Sequence, residues 1–185
     1  IVHVLESVEI TDVVSSKSFK NKYAYHHGYY DHQEREFRGF GMVEQWDIES
    51  YDLSSNVDPL DLPPVYTKTW FHTGYYHQRD KISRKYEDEY FKNIYSWILP
   101  DTKLPINLTG EEAREACRAL RGSPLRIEIY SLDGTPIQNI PYTVEEKSYS
   151  LQCLQHRTKN QYAVFLKTES ETLQYAYERD VTDPR

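Results

Sequence analysis

Cysteine is scarce in this sequence of 185 residues, and positive charge is in the minority. Its 2 cysteines are too few for a disulfide framework. Nucleic-acid-binding proteins carry clusters of basic residues, whereas this sequence has a net charge of −7 and no such cluster. The same negative charge disfavours contact with an anionic membrane surface. No apolar run approaches the roughly 20 residues of a membrane-spanning helix. The sequence therefore predicts neither a nucleic-acid partner nor membrane insertion.

A secretory leader is also missing from the first residues. The polar residues His3, Glu6 and Glu9 interrupt the apolar ones, and a basic start is lacking. There is no initiator methionine, and the chain starts within an alternating pattern, so we expect a fragment of a longer chain. The length suits one unit and no linker divides it. Residues 1–185 are predicted to form a single segment without an internal domain boundary.

Aromatic residues are plentiful, and 17 of them are tyrosines. Such residues favour the half-buried, pleated surface of a β-sheet. Apolar and polar residues alternate from Val2 to Ile10, and again from Lys20 to a break at Gly28. Val65–Gly74 has the β-branched and aromatic composition of a strand that ends at a glycine. These patterns predict an antiparallel, mainly β protein with one or two short helices.

Strands and short turns also fill the C-terminal third of the sequence. Leu125, Ile127 and Ile129 fall on one face of a predicted strand, and Asp133-Gly134 is a hairpin turn signal. The polar run Thr168–Glu171 is predicted to separate two further strands. Nearer the N-terminus, three prolines indicate a loop over Asn56–Pro64.

Two segments have helical spacing. Ile82, Tyr86, Tyr90 and Ile94 recur every four residues, which suits one face of a helix. The stronger signal predicts a helix over Thr109–Arg121, which has both a start and a stop.

At the start of this second helix, Thr109 and Glu112 have the spacing of a capping box, in which each side chain binds the other's backbone N–H. Gly122 suits the position after the last turn, and Pro124 ends the segment. Cys117 lies on the apolar face of the helix, where a thiol packs rather than reacts.

A cluster of histidines suggests a metal site. His26, His27, Asp31 and His32 are ligand types for zinc or iron, and His72 and His77 follow later. On a strand, however, the neighbours His26 and His27 point to opposite faces and cannot bind one ion without a bulge. We therefore predict no bound metal.

Paired carboxylates suggest a hydrolase, and the tryptophans suggest a carbohydrate-binding module. Glu34 and Glu36, or the group Glu87–Glu89, could serve a glycosidase-like hydrolase, but lysines and arginines interleave with them as in a structural charge ladder. Motifs for nucleophilic or dinucleotide chemistry are absent, so no catalytic residue and no cofactor is predicted. A carbohydrate-binding β module is the alternative function. Its sugar platform would use the tryptophans Trp46, Trp70 and Trp97.

The sequence resembles one family in seven blocks that keep their order. The first is YHHGYYDHQEREFRGFGMVE, followed by TKTWFHTG, ISRKYEDEY, LPDTKLP and EEAREACRALRGSPLRIEIYSLDGT, and then by PYTVEEKSY together with the run from Asn160 to the end. These blocks resemble the B component of Tc insecticidal toxin complexes, which is related to Salmonella virulence-plasmid B and Rhs/YD-repeat proteins. The family pattern has Asp-Gly where this sequence has His27-Gly28 and Asp31-His32, which further weakens the metal reading.

The resemblance implies a structural, non-enzymatic role in a secreted bacterial toxin complex. It implies a middle region that follows a β-propeller and begins a long β-sheet strip of the Rhs type, wound into a hollow shell. In that family the B and C components together enclose the toxic C-terminal part of C, and the propeller docks on the A component, the translocation channel. The expected partners are thus the rest of the shell, the C component and, through the propeller, the A component.

The resemblance also selects the residues expected to matter for structure. They comprise one run of aromatic, arginine and glycine residues and the ends of the second predicted helix: Tyr29, Tyr30, Arg35, Phe37, Arg38, Gly39, Phe40, Gly41, Thr109, Glu112 and Gly122.

Overall fold

A computed structural model describes residues 2–14, 17–51, 63–94, 96–182 and 184–185. Within these residues, seven strands form one antiparallel sheet, whose order β1-β2-β3-β4-β5-β6-β7 follows the chain. The mainly β, antiparallel architecture is therefore confirmed. The strands are β1 Ser7–Asp12, β2 Lys17–Asp31, β3 Glu36–Tyr51, β4 Val65–His72, β5 Ser123–Ser131, β6 Thr143–Gln155 and β7 Val164–Ala176. The helices α1 Arg79–Glu89 and α2 Gly110–Ala119 lie between β4 and β5 in the chain.

One face of the sheet carries the core. A row of register partners crosses four strands from Met42 through Trp70 and Arg126 to Glu146, and all four side chains are buried. Tyr86 of α1 is buried in the same cluster as Met42 and Trp70. We call this face the covered face.

The second helix covers another part of the sheet. Ala116 and Leu120 pack with Tyr149 and Leu151 of β6 in a second cluster. Cys117, on the same helix, is fully buried, and burial raises the pKa of its thiol to about 11. The thiol is therefore a packing group, as its position on the apolar helix face indicates. Cys153 is only partly buried, and both cysteines are free.

Strand β5 reverses the usual relation between polarity and burial. Ile127 and Ile129 share one face, as predicted, but both are only half-buried. The alternate residues Arg126, Glu128 and Tyr130 are the buried ones. The covered face therefore contains charge that apolar periodicity does not reveal.

Several boundaries differ from the sequence-based expectations. The predicted break at Gly28 is wrong, because β2 continues to Asp31 through an irregularity in the register between Gly28 and Tyr30. His27, which precedes this irregularity, has a φ of 55°. Strand β1 begins at Ser7, later than the alternation suggests.

The separator predicted at Thr168–Glu171 is also wrong, since these residues lie inside β7. The long β6 runs beside them, and Ser150 Oγ lies 2.8 Å from Thr168 Oγ1 across the pair. Asp133-Gly134 does not form a tight two-residue hairpin, because β5 ends at Ser131 and β6 begins only at Thr143. The predicted loop at Asn56–Pro64 lies outside the described residues except for its last two prolines.

Both predicted helices form, but each is shorter than its pattern. α1 ends at Glu89 because Tyr90 turns to extended backbone, with φ −66° and ψ 144°. The following chain binds the sheet instead of continuing the helix toward Ile94, since Phe91 N–H donates to Glu128 Oε1 at 2.8 Å. α2 ends at Ala119, two residues before the predicted Arg121.

Candidate functional site

The turn that joins β2 to β3 is ordered by Asp31. Its Oδ1 accepts the backbone N–H groups of Gln33 at 2.9 Å and Glu34 at 3.1 Å. Arg35 completes the turn with a φ of 53°. Burial by itself would raise the pKa of Asp31, but the Glu34 N–H and the Arg38 guanidinium lower it below its ordinary value. The carboxylate is therefore the organising group of this turn.

Arg38 fastens this turn to the rest of the protein. It is 2% exposed, and its Nη2 lies 2.8 Å from Asp31 Oδ2. Its Nη1 donates to the backbone oxygen of Gly74 at 2.7 Å. Gly74 belongs to the bend that follows β4, so one buried guanidinium joins the β2–β3 turn to that bend.

Two glycines of the same stretch meet different demands. A Cβ on Gly41 would lie 1.8 Å from Tyr86 Oη, so only glycine lets α1 approach this strand. Gly39 has a φ of 107°, which other residues rarely adopt. Between them, the ring of Phe40 packs edge-on against Phe37, with centroids 5.1 Å apart.

The two tyrosines of the GYYD motif have different environments. Tyr29 is half-buried and meets the edge of Tyr75 at 6.5 Å between centroids, and burial raises the pKa of its phenol. Tyr30 is 46% exposed and contacts the ring of His32 at 5.2 Å. Only Tyr29 therefore contributes to the core.

The predicted capping box is present at the start of α2. Thr109 Oγ1 accepts the N–H of Glu112 at 3.2 Å, and Glu112 Oε2 accepts the N–H of Thr109 at 2.9 Å. Hydrogen bonds from the backbone N–H groups of Thr109 and Arg157 to the Glu112 carboxylate lower its pKa to about 2. After the helix, Gly122 takes a φ of 76°, and its N–H donates to the backbone oxygen of His72 at 2.8 Å.

Helix α2 carries its arginines on the side of the β2–β3 turn. Arg114 lies 3.2 Å from Glu34, and Arg121, just beyond the helix, lies 2.6 Å from Glu36. Arg118 approaches the same Glu36 carboxylate at 3.5 Å. The Arg/Glu alternation of the sequence is thus structural, but its partners are on a helix rather than on a neighbouring strand.

The glutamates of α2 bind the turn between β6 and β7. Glu112 Oε1 accepts the backbone N–H of Arg157 at 2.9 Å and lies 3.0 Å from His156 Nδ1. Glu115 accepts the N–H of Ala163 at 2.9 Å, and Glu111 pairs with Arg157. Helix α2 therefore binds two turns, the β2–β3 turn through arginines and the β6–β7 turn through glutamates.

The candidate metal ligands are separated by their own partners. His26 Nε2 lies 2.7 Å from Glu44, and His27 Nε2 lies 2.9 Å from Glu89. His72 is buried at the end of β4, whereas His32 and His77 are exposed. Across the part of the chain that the structure describes, no three His, Cys, Asp or Glu side chains are arranged to hold a metal ion.

Four of the five candidate carboxylates are bound by basic side chains. Glu34 lies in the turn and Glu36 in β3, and both bind arginines near α2. In the second group, Glu89 binds His27, and Asp88 lies 3.9 Å from Lys92. Their arrangement is that of a structural charge network.

The tryptophans do not form one platform for a sugar. Trp70 is fully buried, whereas Trp97 is 69% exposed. Trp46 stacks on Tyr66 with a centroid distance of 5.1 Å and an interplanar angle of 20°. The residues proposed for carbohydrate binding therefore have three different environments.

The sequence analysis did not predict a buried ionic cluster around Arg126. Arg126 Nε donates to Glu128 Oε1 at 2.6 Å, its Nη1 binds Glu146, and its Nη2 donates to the backbone oxygen of Phe91 at 2.7 Å. Glu146 Oε2 accepts the N–H of Leu99 at 2.7 Å, and burial raises the pKa of Glu146 despite Arg126. The cluster attaches the chain after α1 to the sheet. Its sequence signal was an Arg and a Glu two residues apart within the apolar strand LRIEIY.

Neither helix in the described part of the chain is long and apolar enough to cross a membrane.

Comparison with known proteins gives consistent matches. The family described as the insecticide toxin TcdB middle/N-terminal region matches residues 1–74, and the TcdB middle/C-terminal region matches residues 115–185. No curated protein matches the chain.

Solved structures match the fold as well. The crystal structure of TcdB2-TccC3-TEV is 30% identical over 99% of this chain, with a TM-score of 0.85. TcdB2-TccC3 without its hypervariable C-terminal region is 31% identical over 99%, with a TM-score of 0.83. The Photorhabdus luminescens Tc holotoxin pore is 30% identical over 99%, with a TM-score of 0.85. The chain spans 9% of the length of each of these relatives.

Proposed function

Because this chain belongs to the TcdB family of insecticide toxins, as part of the middle region of the B component, we propose that it builds one segment of a hollow β-sheet shell. The shell encloses the toxic C-terminal part of the C component for delivery through the channel of the A component. The segment is a single unit over residues 1–185 and acts by structure rather than by catalysis.

The strand order is the observation that carries this proposal. Among the residues that the structure describes, each strand pairs only with its neighbours in the chain, from β1 to β7. Such a sheet can be lengthened at either edge without rearrangement, because edge strands offer unpaired backbone groups for further strands. A shell built from a long strip needs units of this kind.

The contacts of α2 with two turns of the sheet support the same role. The helix binds the β2–β3 turn through arginines and the β6–β7 turn through glutamates. Holding two distant turns fixes the shape of the sheet between them, and a shell must keep its curvature while enclosing a cargo. The residues Tyr29, Arg38, Gly41, Thr109 and Glu112 serve this purpose in the proposal.

A non-enzymatic role agrees with how the candidate catalytic groups are used. Glu34 and Glu36 are paired with arginines, Glu89 is hydrogen-bonded to His27, and the thiol of Cys117 is buried with a raised pKa. The proposed partners are the remainder of the shell, the C component and, through a β-propeller, the A component. The complex is proposed to be secreted.

Protease protection tests the proposal. The full-length protein that contains this segment is co-expressed with its C component, and the complex is digested with a nonspecific protease. We expect the C-terminal part of C to survive in the complex and to be degraded when C is expressed alone. Equal degradation in the two samples would contradict enclosure.

A further inference from the structure

His72 occupies an unusual place at the end of β4. It is 5% exposed, and its ring stacks on Tyr75 with a centroid distance of 4.2 Å and an interplanar angle of 14°. Its Nδ1 accepts the backbone N–H of Gly74 at 2.9 Å. An imidazole that accepts at Nδ1 is neutral and carries its proton on Nε2.

His72 belongs to a chain of contacts that ends at the β2–β3 turn. Gly74 donates its N–H to His72 and accepts Arg38 Nη1 on its backbone oxygen. Arg38 in turn contacts Asp31, which organises the turn. On the other side, the backbone oxygen of His72 accepts the N–H of Gly122, just after α2. One buried ring thus lies between the β2–β3 turn and the end of α2.

The charged groups around this ring are cations. Arg79 of α1 and Lys167 of β7 both oppose a positive charge on His72, in addition to the larger effect of burial, and the pKa of His72 is lowered to about 3. Lys167 also donates to Ser123, the partner of His72 across β4 and β5. Arg38 of β3 lies on the far side of Gly74, and α2 presents the backbone oxygen of Cys117 to Gly74.

The other paired histidines have the opposite surroundings. His26, His27 and His156 each face a glutamate, on Glu44, Glu89 and Glu112. A proton on any of them would lie beside a carboxylate, whereas a proton on His72 would lie among cations and against an N–H donor.

We propose that His72 is an acid-sensitive latch. One proton taken up from solvent at Nδ1 converts the acceptor of the Gly74 N–H into a donor, which breaks that hydrogen bond and loosens the bend to which Arg38 joins the β2–β3 turn. The remaining pairs of β2, including His27 with Glu89, keep the strand itself attached. The latch is a property of this segment and does not depend on whether the shell encloses a cargo.

The sign of the pH dependence follows from linkage. In the closed state, in which His72 accepts the Gly74 N–H, the pKa of His72 is about 3. In the open state, in which that hydrogen bond is broken, His72 has the ordinary pKa near 6.5 and binds more protons. Acidification below about pH 6.5 therefore favours opening, and the ratio of open to closed rises about 30-fold between pH 7.5 and pH 5.

Hydrogen–deuterium exchange tests the latch in the full-length protein. After correction for intrinsic exchange rates, we expect protection of peptides covering 31–38 and 73–78 to fall about 30-fold between pH 7.5 and pH 5. Peptides from the middle of β6 and β7 in the same digest serve as the internal reference. Unchanged protection of the 73–78 peptide, or an equal loss in the reference peptides, would overturn the proposal whatever a variant does.

Two matched variants assign the effect to the ring. His72→Asn keeps an oxygen acceptor for the Gly74 N–H but does not titrate in this range, so its protection should not change with pH. His156→Asn, at an exposed histidine, should lose protection in 31–38 and 73–78 as the unmodified protein does. A pH-dependent loss of wild-type size in His72→Asn would contradict the latch.

Discussion

The Arg126 guanidinium and the Glu128 carboxylate lie on the same buried face of β5, with Nε 2.6 Å from Oε1. Their side chains are 2% and 0% exposed. Tyr130 donates to the other oxygen of Glu128 at 2.6 Å, and Tyr90 lies 4.6 Å from the guanidinium as a cation–π partner. One guanidinium thus faces two carboxylates, and the N–H groups of Phe91 and Leu99 donate to them as well. Pairing and hydrogen bonding of this kind are the condition for burying charge without a large loss of stability.

Removing Arg126 should leave two buried carboxylates without a cation. Arg126→Met is expected to lower the free energy of local unfolding of β5 by about 3–5 kcal/mol, because uncompensated buried charge is costly. Hydrogen exchange of β5 amides in the full-length protein measures this change.

Lys92→Met is the matched control for that variant, since its pair with Asp88 is exposed at 3.9 Å and should contribute at most about 1 kcal/mol. The triple variant Arg126→Met/Glu128→Gln/Glu146→Gln should recover part of the loss. Similar exchange in Arg126→Met and Lys92→Met would show that the cluster does not stabilise β5.

The contrast between α2 and this cluster shows what sequence could predict. The capping box of Thr109 and Glu112 was predictable because both partners lie within one turn of helix. The antiparallel meander was predictable because alternation and turn residues act over short distances. The burial of Arg126 was not, since it depends on Glu146 and on the backbone of Phe91, which are distant in sequence. The same reason explains why Glu34 and Glu36 were expected in a charge ladder between strands, whereas their partners Arg114 and Arg121 lie on or just after α2.

Gly41 should tolerate no side chain. In Gly41→Ala the new methyl group would overlap Tyr86 Oη, so β3 and α1 must separate, at a cost of about 1–3 kcal/mol. Thermal denaturation of the full-length protein, followed by exchange in α1, measures the effect. Gly110→Ala is the control, because the nearest atom to its Cβ is Tyr76 Oη at 3.9 Å. Equal stability of the two variants would contradict the close approach.

Acid should loosen α2 through Glu112. The pKa of its carboxyl is lowered from 4.5 to about 2 by the N–H groups that it accepts. A carboxyl whose pKa is lower in the folded state stabilises it above the unfolded pKa, and this contribution disappears as pH falls from about 4.5 toward 2. Exchange of α2 amides should therefore be faster at pH 3 than at pH 6 after correction for intrinsic rates.

Two variants separate the cap from other acid effects on α2. Glu112→Gln should show a smaller difference between pH 6 and pH 3. Thr109→Ala should cost about 1 kcal/mol of helix stability at neutral pH, because it removes the other half of the cap. An unchanged acid response in Glu112→Gln would exclude Glu112 as its source.

The 185-residue chain in isolation should self-associate. Leu154 of β6 and Val164 and Leu166 of β7 are 45–58% exposed, and β7 is an edge strand of the sheet. Light scattering should show a mass that rises with concentration, and Leu166→Lys should reduce it, since an edge lysine opposes strand pairing. Ile106→Lys, at an 84% exposed loop residue, should have little effect. A constant monomer mass for the unmodified chain would contradict this prediction.

The central claim is that these residues are a segment of an enclosing shell, and the most direct test is a cryo-electron microscopy structure of the full-length protein bound to its C component. We predict that β1 and β7 are hydrogen-bonded to further strands of the same protein. We also predict that the continuous sheet closes around density from the C component. A structure in which residues 1–185 form a separate module on the outside, with the edges of β1 and β7 unpaired, would contradict the account.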